Sequence, residues 1–356
     1  MYLLFMNGCV DYHYIYIYIY LFIFYSHIFL SISINFCLIL PFSIYLCLRI
    51  FVASSFADDT RLMMKIEAEE DHEKLQRDLE IIYKWAQENN MVFNSSKFEM
   101  LRYGDGDTNN HQYNAPDGSL IDRQNQLRDL GVIMSDTATF NQQIHNVVTK
   151  ARRQVAWILR CFATREPKPM LTLFKSLVIP LLEYCSQLWN PGTTGLVRQL
   201  EGVQRMFTHR VQGMQSSNYW ERLEKLRLYS LERRRERYII LYTWKILHGL
   251  APNIDECDGA ITTKQNKRRG KLCIIPPLNN KAKQRIQTLR EGSFSVVAPR
   301  LFNKLPRELR EYEGSFIDFK KVLDKFLRKI PDKPSLPHYY QVAESNSLLH
   351  QISTKF

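Results

Sequence analysis

The sequence predicts an α+β protein, with a small block of strands and one helix over residues 52–135 and a mainly helical chain beyond it. Three observations carry this. In Val52-Ala-Ser-Ser-Phe-Ala-Asp-Asp-Thr-Arg-Leu62, short apolar or small-residue runs flank the Asp58-Asp59 pair like the two arms of a β-hairpin around a tight turn. After Ser135 the apolar residues recur at helical spacing. Residues 1–51 differ in composition from the rest, with no Asp, Glu, Lys or Arg between Asp11 and Arg49.

That leader is dominated by Leu, Ile, Phe and Tyr. Its alternation from Tyr14 to Tyr20 is low in complexity and rich in β-branched and aromatic residues, which makes a poor helix and an aggregation-prone strand. It reads as translated simple-repeat or non-coding DNA joined near Phe51 to the rest of the chain. The alternative is a membrane anchor through residues 12–48, because a spanning helix needs only about 20 apolar residues. Lys and Arg are absent up to Leu48, so no basic segment marks a secretory signal.

A formal charge of +12 points to a polyanionic partner, nucleic acid before membrane. The cysteines are odd in number, scattered and without Cys-x-x-Cys spacing. Reduced thiols in an intracellular protein fit this better than a disulfide framework or a zinc site. No glycine-rich phosphate loop is present.

Within the strand-and-helix block, two adjacent carboxylates on a turn are a start on a divalent-metal site, because Mg²⁺ takes hard oxygen ligands and usually one or two carboxylates. An isolated Asp-Asp pair is more often a solvated turn. From Ile66 to Asn90, Leu75, Leu79, Ile82 and Ala86 form one apolar stripe of an amphipathic helix that ends at Asn89-Asn90. Val92-Phe93 and Phe98 to Tyr103 read as short strands around Asn94-Ser95-Ser96. Residues 104–117 are a polar loop, and Leu130-Gly131-Val132-Ile133 reads as a strand whose glycine allows close backbone approach.

Beyond Ser135, Phe140, Ile144, Val147, Val148, Ala151, Val155, Ile158 and Leu159 keep one stripe, with Lys150, Arg152, Arg153 and Arg160 interleaved. A second helix follows Pro169 and is kinked or interrupted at Pro180. The densest basic patch runs from Arg227 to Arg237, with Arg227, Arg233, Arg234, Arg235 and Arg237, and Tyr238 and Trp244 lie nearby in an apolar setting that favours core positions for the two aromatics. Basic residues on such helices pair with phosphates in a salt-sensitive, sequence-blind way, or simply solvate a helix face. Asn253 to Lys283 is a basic linker, a phosphate-binding arm or a nuclear-localisation patch. A last helix runs from Ser315 to Lys329, with Phe316, Phe319, Val322, Leu323 and Phe326 on one side.

Taken as a series, Phe56-Ala-Asp-Asp-Thr60, Leu75-Gln-Arg-Asp-Leu79, Trp85-Ala86, Asn89 to Lys97, Arg128-Asp-Leu-Gly-Val132 and Ser176 to Cys185 resemble the reverse transcriptases of non-LTR (LINE-like, jockey-type) retrotransposons, from about Val52 to near His350. The resemblance implies a partial polymerase palm over 52–135, a helical thumb and basic helical region over 136–250, and a basic linker with C-terminal helices over 251–356. It gives Asp58 and Asp59 the role of metal-binding catalytic carboxylates, and Lys97 that of the lysine protonating the leaving pyrophosphate. Leu130, Gly131 and Val132 match the primer grip. Mg²⁺ or Mn²⁺ is the implied cofactor. An RNA template, a DNA primer and deoxynucleotide triphosphates are the implied partners, in the nucleus or cytoplasm.

The family adds a further aspartate on a strand neighbouring this turn, and a fingers element. The only acidic residue before Asp58 is Asp11, in a setting unlike that motif. The expectation is therefore an incomplete RNA-directed DNA polymerase, inactive alone. Its palm remnant is expected to be unstable, because the Asp58-Asp59 hairpin has lost the strands that would cover its edges. The alternative is a non-catalytic nucleic-acid-binding protein, tethered to a membrane if the leader is an anchor.

Overall fold

The computed structural model describes residues 14–22, 52–56, 59–103, 111–253, 260–277, 284–333 and 346–352, with only the backbone at 14–22, 52–56, 59 and 92. The chain divides into two compact units, residues 9–139 and 140–356. The first combines sheet and helix and the second is mainly helical, so the protein is α+β.

In the first unit the strands are β1 (Tyr14–Phe22), β2 (Val52–Phe56), β3 (Asp59–Lys65), β4 (Val92–Phe93), β5 (Glu99–Tyr103) and β6 (Asp122–Gln124). They make one sheet in the order β2-β3-β1-β5-β6, with β4 pairing the far end of β1. β1 runs antiparallel to β3 from Tyr14↔Lys65 to Tyr20↔Asp59, and antiparallel to β5 from Tyr14↔Tyr103 to Tyr18↔Glu99. The Tyr-Ile stretch is thus an internal strand. This corrects the expectation of a bare hairpin: β3 is paired by β2 on one side and by β1 on the other. The reason is that a strand edge offers a row of unpaired N–H and C=O groups, and an alternating β-branched and aromatic segment is well suited to fill it. The rest of the proposed membrane span lies outside the described residues, among which no helix is long and apolar enough to cross a membrane.

Helix α1 (Glu69–Glu88) lies against this sheet. Its apolar stripe of Leu75, Leu79 and Ile82 joins Leu62 and Met64 of β3 and Met100 of β5 in one core. Asp71 starts the helix by accepting from the backbone N–H groups of Glu67 and Ala68 at 2.9 and 3.0 Å. Asn89 closes it, donating through its side chain to the Trp85 carbonyl at 2.8 Å, and Asn90 follows in the left-handed region with φ 54°.

A separate hairpin, β7 (Gln126–Asp129) and β8 (Val132–Ser135), completes the unit. Its two-residue turn is Leu130-Gly131, with φ of 43° and 86°. Positive φ at both positions is the type I′ geometry that matches strand twist. The expected continuous strand over Leu130–Ile133 is therefore a turn followed by a strand, and Gly131 serves the turn.

The second unit begins with α2 (Asn141–Cys161), α3 (Pro167–Leu173), a π-helical turn at Phe174–Val178, and α4 (Ile179–Glu183). The widened turn sits directly before Pro180, whose ring crowds the carbonyl four residues earlier and which has no N–H to give. Then come α5 (Thr194–His209), α6 (Tyr219–Lys225) and α7 (Leu231–Leu247). The expected basic linker contains an ordered hairpin, β9 (Thr263–Asn266) and β10 (Gly270–Cys273), held by Arg310, whose guanidinium donates to the carbonyls of Arg269 and Lys271.

After it come α8 (Gln284–Glu291), α9 (Phe294–Asn303), α10 (Arg307–Arg310), α11 (Phe316–Leu327) and a last turn α12 (Leu348–Gln351). Trp244 of α7 is buried and stacks on Phe319 of α11, ring centroids 4.9 Å apart. Of the stripe expected on α11, Phe319 and Leu323 are buried and Val322 is exposed.

Candidate functional site

β2 ends at Phe56 and β3 begins at Asp59. Asp58 lies outside the described residues, and Asp59 opens β3 with its backbone paired to Phe56 on one side and Tyr20 on the other. The strand beside Asp59, Tyr14–Phe22, contains no Asp or Glu. Among the described residues no cluster of three or more His, Cys, Asp or Glu has the geometry to hold a metal ion.

Two residues after Asp59, Arg61 is buried and donates from Nε to Asp129 Oδ1 at 2.7 Å, with side-chain exposures of 9% and 3%. Along β3, Leu62 and Met64 belong to the core with α1, while Arg61 meets the β7–β8 hairpin one residue before its Leu130-Gly131 turn. The ion pair therefore ties the strand that Asp59 opens to the hairpin that turns at Leu130-Gly131. Val132 is buried and heads β8. Lys97 is exposed at the end of the 3₁₀ turn Ser95–Lys97, whose entry Asn94 caps by accepting from Ser96 N at 3.2 Å.

On α2 the buried stripe of Ile144, Val147, Val148, Ala151, Val155 and Ile158 leaves the opposite side in solvent. Lys150, Arg152, Arg153 and Arg160 are all exposed. Lys150, Arg153, Trp157 and Arg160 recur at three- and four-residue steps, which places them on one helix face. Trp157 is 43% exposed, its edge set against Phe162 at 6.0 Å between centroids. An exposed indole within a cationic row is an arrangement suited to phosphate contact and base stacking. Composition alone does not point to it, but the helical spacing of a tryptophan outside the apolar stripe does.

The four arginines of α7 are placed differently. Arg233, Arg235 and Arg237 are buried, at 0%, 3% and 9% exposure. Arg233 donates to the carbonyls of Pro331 at 3.1 Å and Asn346 at 3.2 Å. Arg237 forms a two-pronged pair with Asp324 of α11, at 2.5 and 2.8 Å. Arg234 forms a two-pronged pair with Glu183. Arg235 sits near Glu201, Glu232 and Glu236, and its burial lowers its pKa from the ordinary arginine value. The expected phosphate-binding patch is corrected: Arg233, Arg234 and Arg237 bond to protein groups and Arg235 is buried, because α7 is covered on several sides.

Two buried carboxyls were not visible as such in the sequence. Burial pushes Glu201 up to about 7, against the pull of the Tyr219 hydroxyl that donates to it. Burial likewise pushes Glu236 up to about 8, against hydrogen bonds from the Ser347 hydroxyl and Leu348 N–H. In the first unit, buried His72 shares a 2.6 Å hydrogen bond with Tyr113 and stacks on His111 at 4.5 Å, fastening the segment after residue 110 to α1.

No protein-family model matches the chain, and no solved structure matches it. A protein of Caenorhabditis elegans described only as uncharacterized is 26% identical over 128 residues, a stretch that makes up 35% of this chain and 65% of that protein.

Proposed function

We propose that this chain is the palm and thumb part of an RNA-directed DNA polymerase of the non-LTR retrotransposon type, which holds a template–primer duplex but does not extend it alone. The motif series supports the family. The Asp59 hairpin backed by α1, with Leu75 and Leu79 packed against Leu62 and Met64, supports the palm assignment. The observation that carries the loss of activity is the identity of the strand beside Asp59. Tyr14–Phe22 fills that place without a carboxylate, and Tyr20 takes the register position opposite Asp59. Asp58 and Asp59 would be the residues to hold Mg²⁺ or Mn²⁺, and the third ligand that two-metal nucleotidyl transfer needs has no counterpart there. No chemical step is therefore assigned to this chain.

Duplex binding falls to α2. Lys150, Arg153 and Arg160, with Trp157 among them, offer cations and a stacking face on one exposed side. Each phosphate neutralised releases counterions, so log K should fall linearly with log salt at a slope of about −0.9 per contact on B-form DNA. Filter binding of an RNA–DNA hybrid across a salt series tests this. A negative slope of two or more contacts supports the reading, and a flat response removes it.

A further inference from the structure

The end of the described chain, Asn346–Ile352, makes only the single helical turn α12, yet it is held by groups far away in sequence. The Asn346 side-chain amide donates to Ser230 Oγ at 2.7 Å and to Asp332 Oδ1 at 2.6 Å. Arg233 donates to the Asn346 carbonyl at 3.2 Å and to Gln351 Oε1 at 3.4 Å. Glu236 accepts from the Ser347 hydroxyl and, at 2.9 Å, from Leu348 N. Leu348 and Ile352 are buried at 0% and 5% exposure in the core that α7, α9 and α11 share, while His350 faces solvent.

Three of the four polar walls of this groove, Ser230, Asp332 and Arg233, also bond outside the segment, while Glu236 bonds to Ser347 and Leu348 within it. Ser230 caps α7 by accepting from Arg233 N at 3.1 Å. Asp332 is fixed by Ser230, from its N–H at 2.6 Å and its hydroxyl at 2.8 Å. Arg233 also donates to the carbonyl of Pro331 at 3.1 Å. These contacts do not involve the segment and hold three of the four walls independently of it, and a preorganised site loses little ordering entropy on binding.

We propose that the face of α7 bounded by Ser230, Arg233, Glu236 and Asp332 is a peptide-binding groove, and that Asn346–Ile352 occupies it as a separable ligand. The groove reads an asparagine through two acceptors for its amide. It reads a serine that begins a helical turn, an apolar residue directly after it, and a second apolar residue four positions further on. The connection from Lys333 runs through residues 334–345, which lie outside the described residues.

The test uses the full chain with a protease site placed within residues 334–345. After cleavage, the fragment should stay with the protein through gel filtration, and a fluorescent synthetic peptide of residues 345–356 should exchange into the groove at micromolar concentration. Substitutions are made in the peptide only, so the receptor is unchanged. Asn346→Ala and Leu348→Asp should weaken binding tenfold or more, and His350→Ala should leave it unaltered. Three results would overturn the proposal: a fragment that leaves and is not recaptured, a cleaved protein that unfolds, or a scrambled peptide that binds equally well.

Discussion

Arg61 and Asp129, 68 residues apart in sequence, form a buried ion pair at 2.7 Å that joins the Asp59 strand to the Leu130-Gly131 hairpin. Removing one partner of a buried pair strands the other charge, at a cost of about 3–5 kcal/mol. Asp129→Ala should lower the urea stability of the first unit by that order. Replacing both, Arg61→Met with Asp129→Leu, should recover most of the loss. A change below about 1 kcal/mol in Asp129→Ala would mean that the guanidinium finds water instead.

The turn beside that pair is strained at one residue. Leu130 holds φ 43°, a left-handed conformation that costs a non-glycine residue roughly 1–2 kcal/mol. Leu130→Asn gives the Asn-Gly pair that type I′ turns favour and should stabilise the protein by about 1 kcal/mol. Gly131→Ala, at φ 86°, should destabilise it by a similar amount. Thermal midpoints of the two variants on either side of the parent would agree with this, and midpoints in the opposite order would contradict it.

Glu201 and Glu236 set a pH dependence with a definite sign. Both have an ordinary value of 4.5 and are raised by burial, to about 7 and about 8. Between 4.5 and those values the folded protein binds more protons than the unfolded chain, so stability falls as pH rises through the window. Thermal midpoints should be higher near pH 5 than near pH 8, and Glu201→Gln should flatten the curve over its lower part. A midpoint that climbs across this range would contradict the placement of these carboxyls.

The arginines of α2 and α7 should separate cleanly by assay. Arg153→Gln and Arg160→Gln remove exposed cations and should each reduce the salt slope of nucleic-acid binding by about 1 while leaving the melting temperature in place. Arg237→Gln breaks the buried pair with Asp324 and should lower stability with the slope unchanged. The reverse pattern would return the binding surface to α7.

How far these differences were legible in the sequence depended on locality. The α1 stripe of Leu75, Leu79 and Ile82, and its end at Asn89, follow from spacing and capping within one element. The amphipathic face of α2 is local in the same way. The burial of Arg233, Arg235 and Arg237 is not, because it depends on α11, the segment at Pro331 and the end of the chain packing around α7. Four arginines in five residues look like a solvated patch until the partners of Arg233, Arg234 and Arg237, 51 to 118 residues away, are known. The pairing of Tyr14–Phe22 between β3 and β5 is the same kind of long-range fact. Periodicity shows that the stretch can be a strand and is silent about which edges it joins.

The most direct test of the central claim is primer extension by the full chain on an RNA template with a DNA primer, deoxynucleotide triphosphates and Mg²⁺ or Mn²⁺, at protein concentrations where the hybrid is bound. With Tyr14–Phe22 beside Asp59 and no carboxylate on that strand, the account predicts a bound primer that gains no nucleotides. Incorporation that disappears in Asp58→Ala and Asp59→Ala would contradict it, since the chain would then complete a metal site with a ligand from outside the strand beside Asp59.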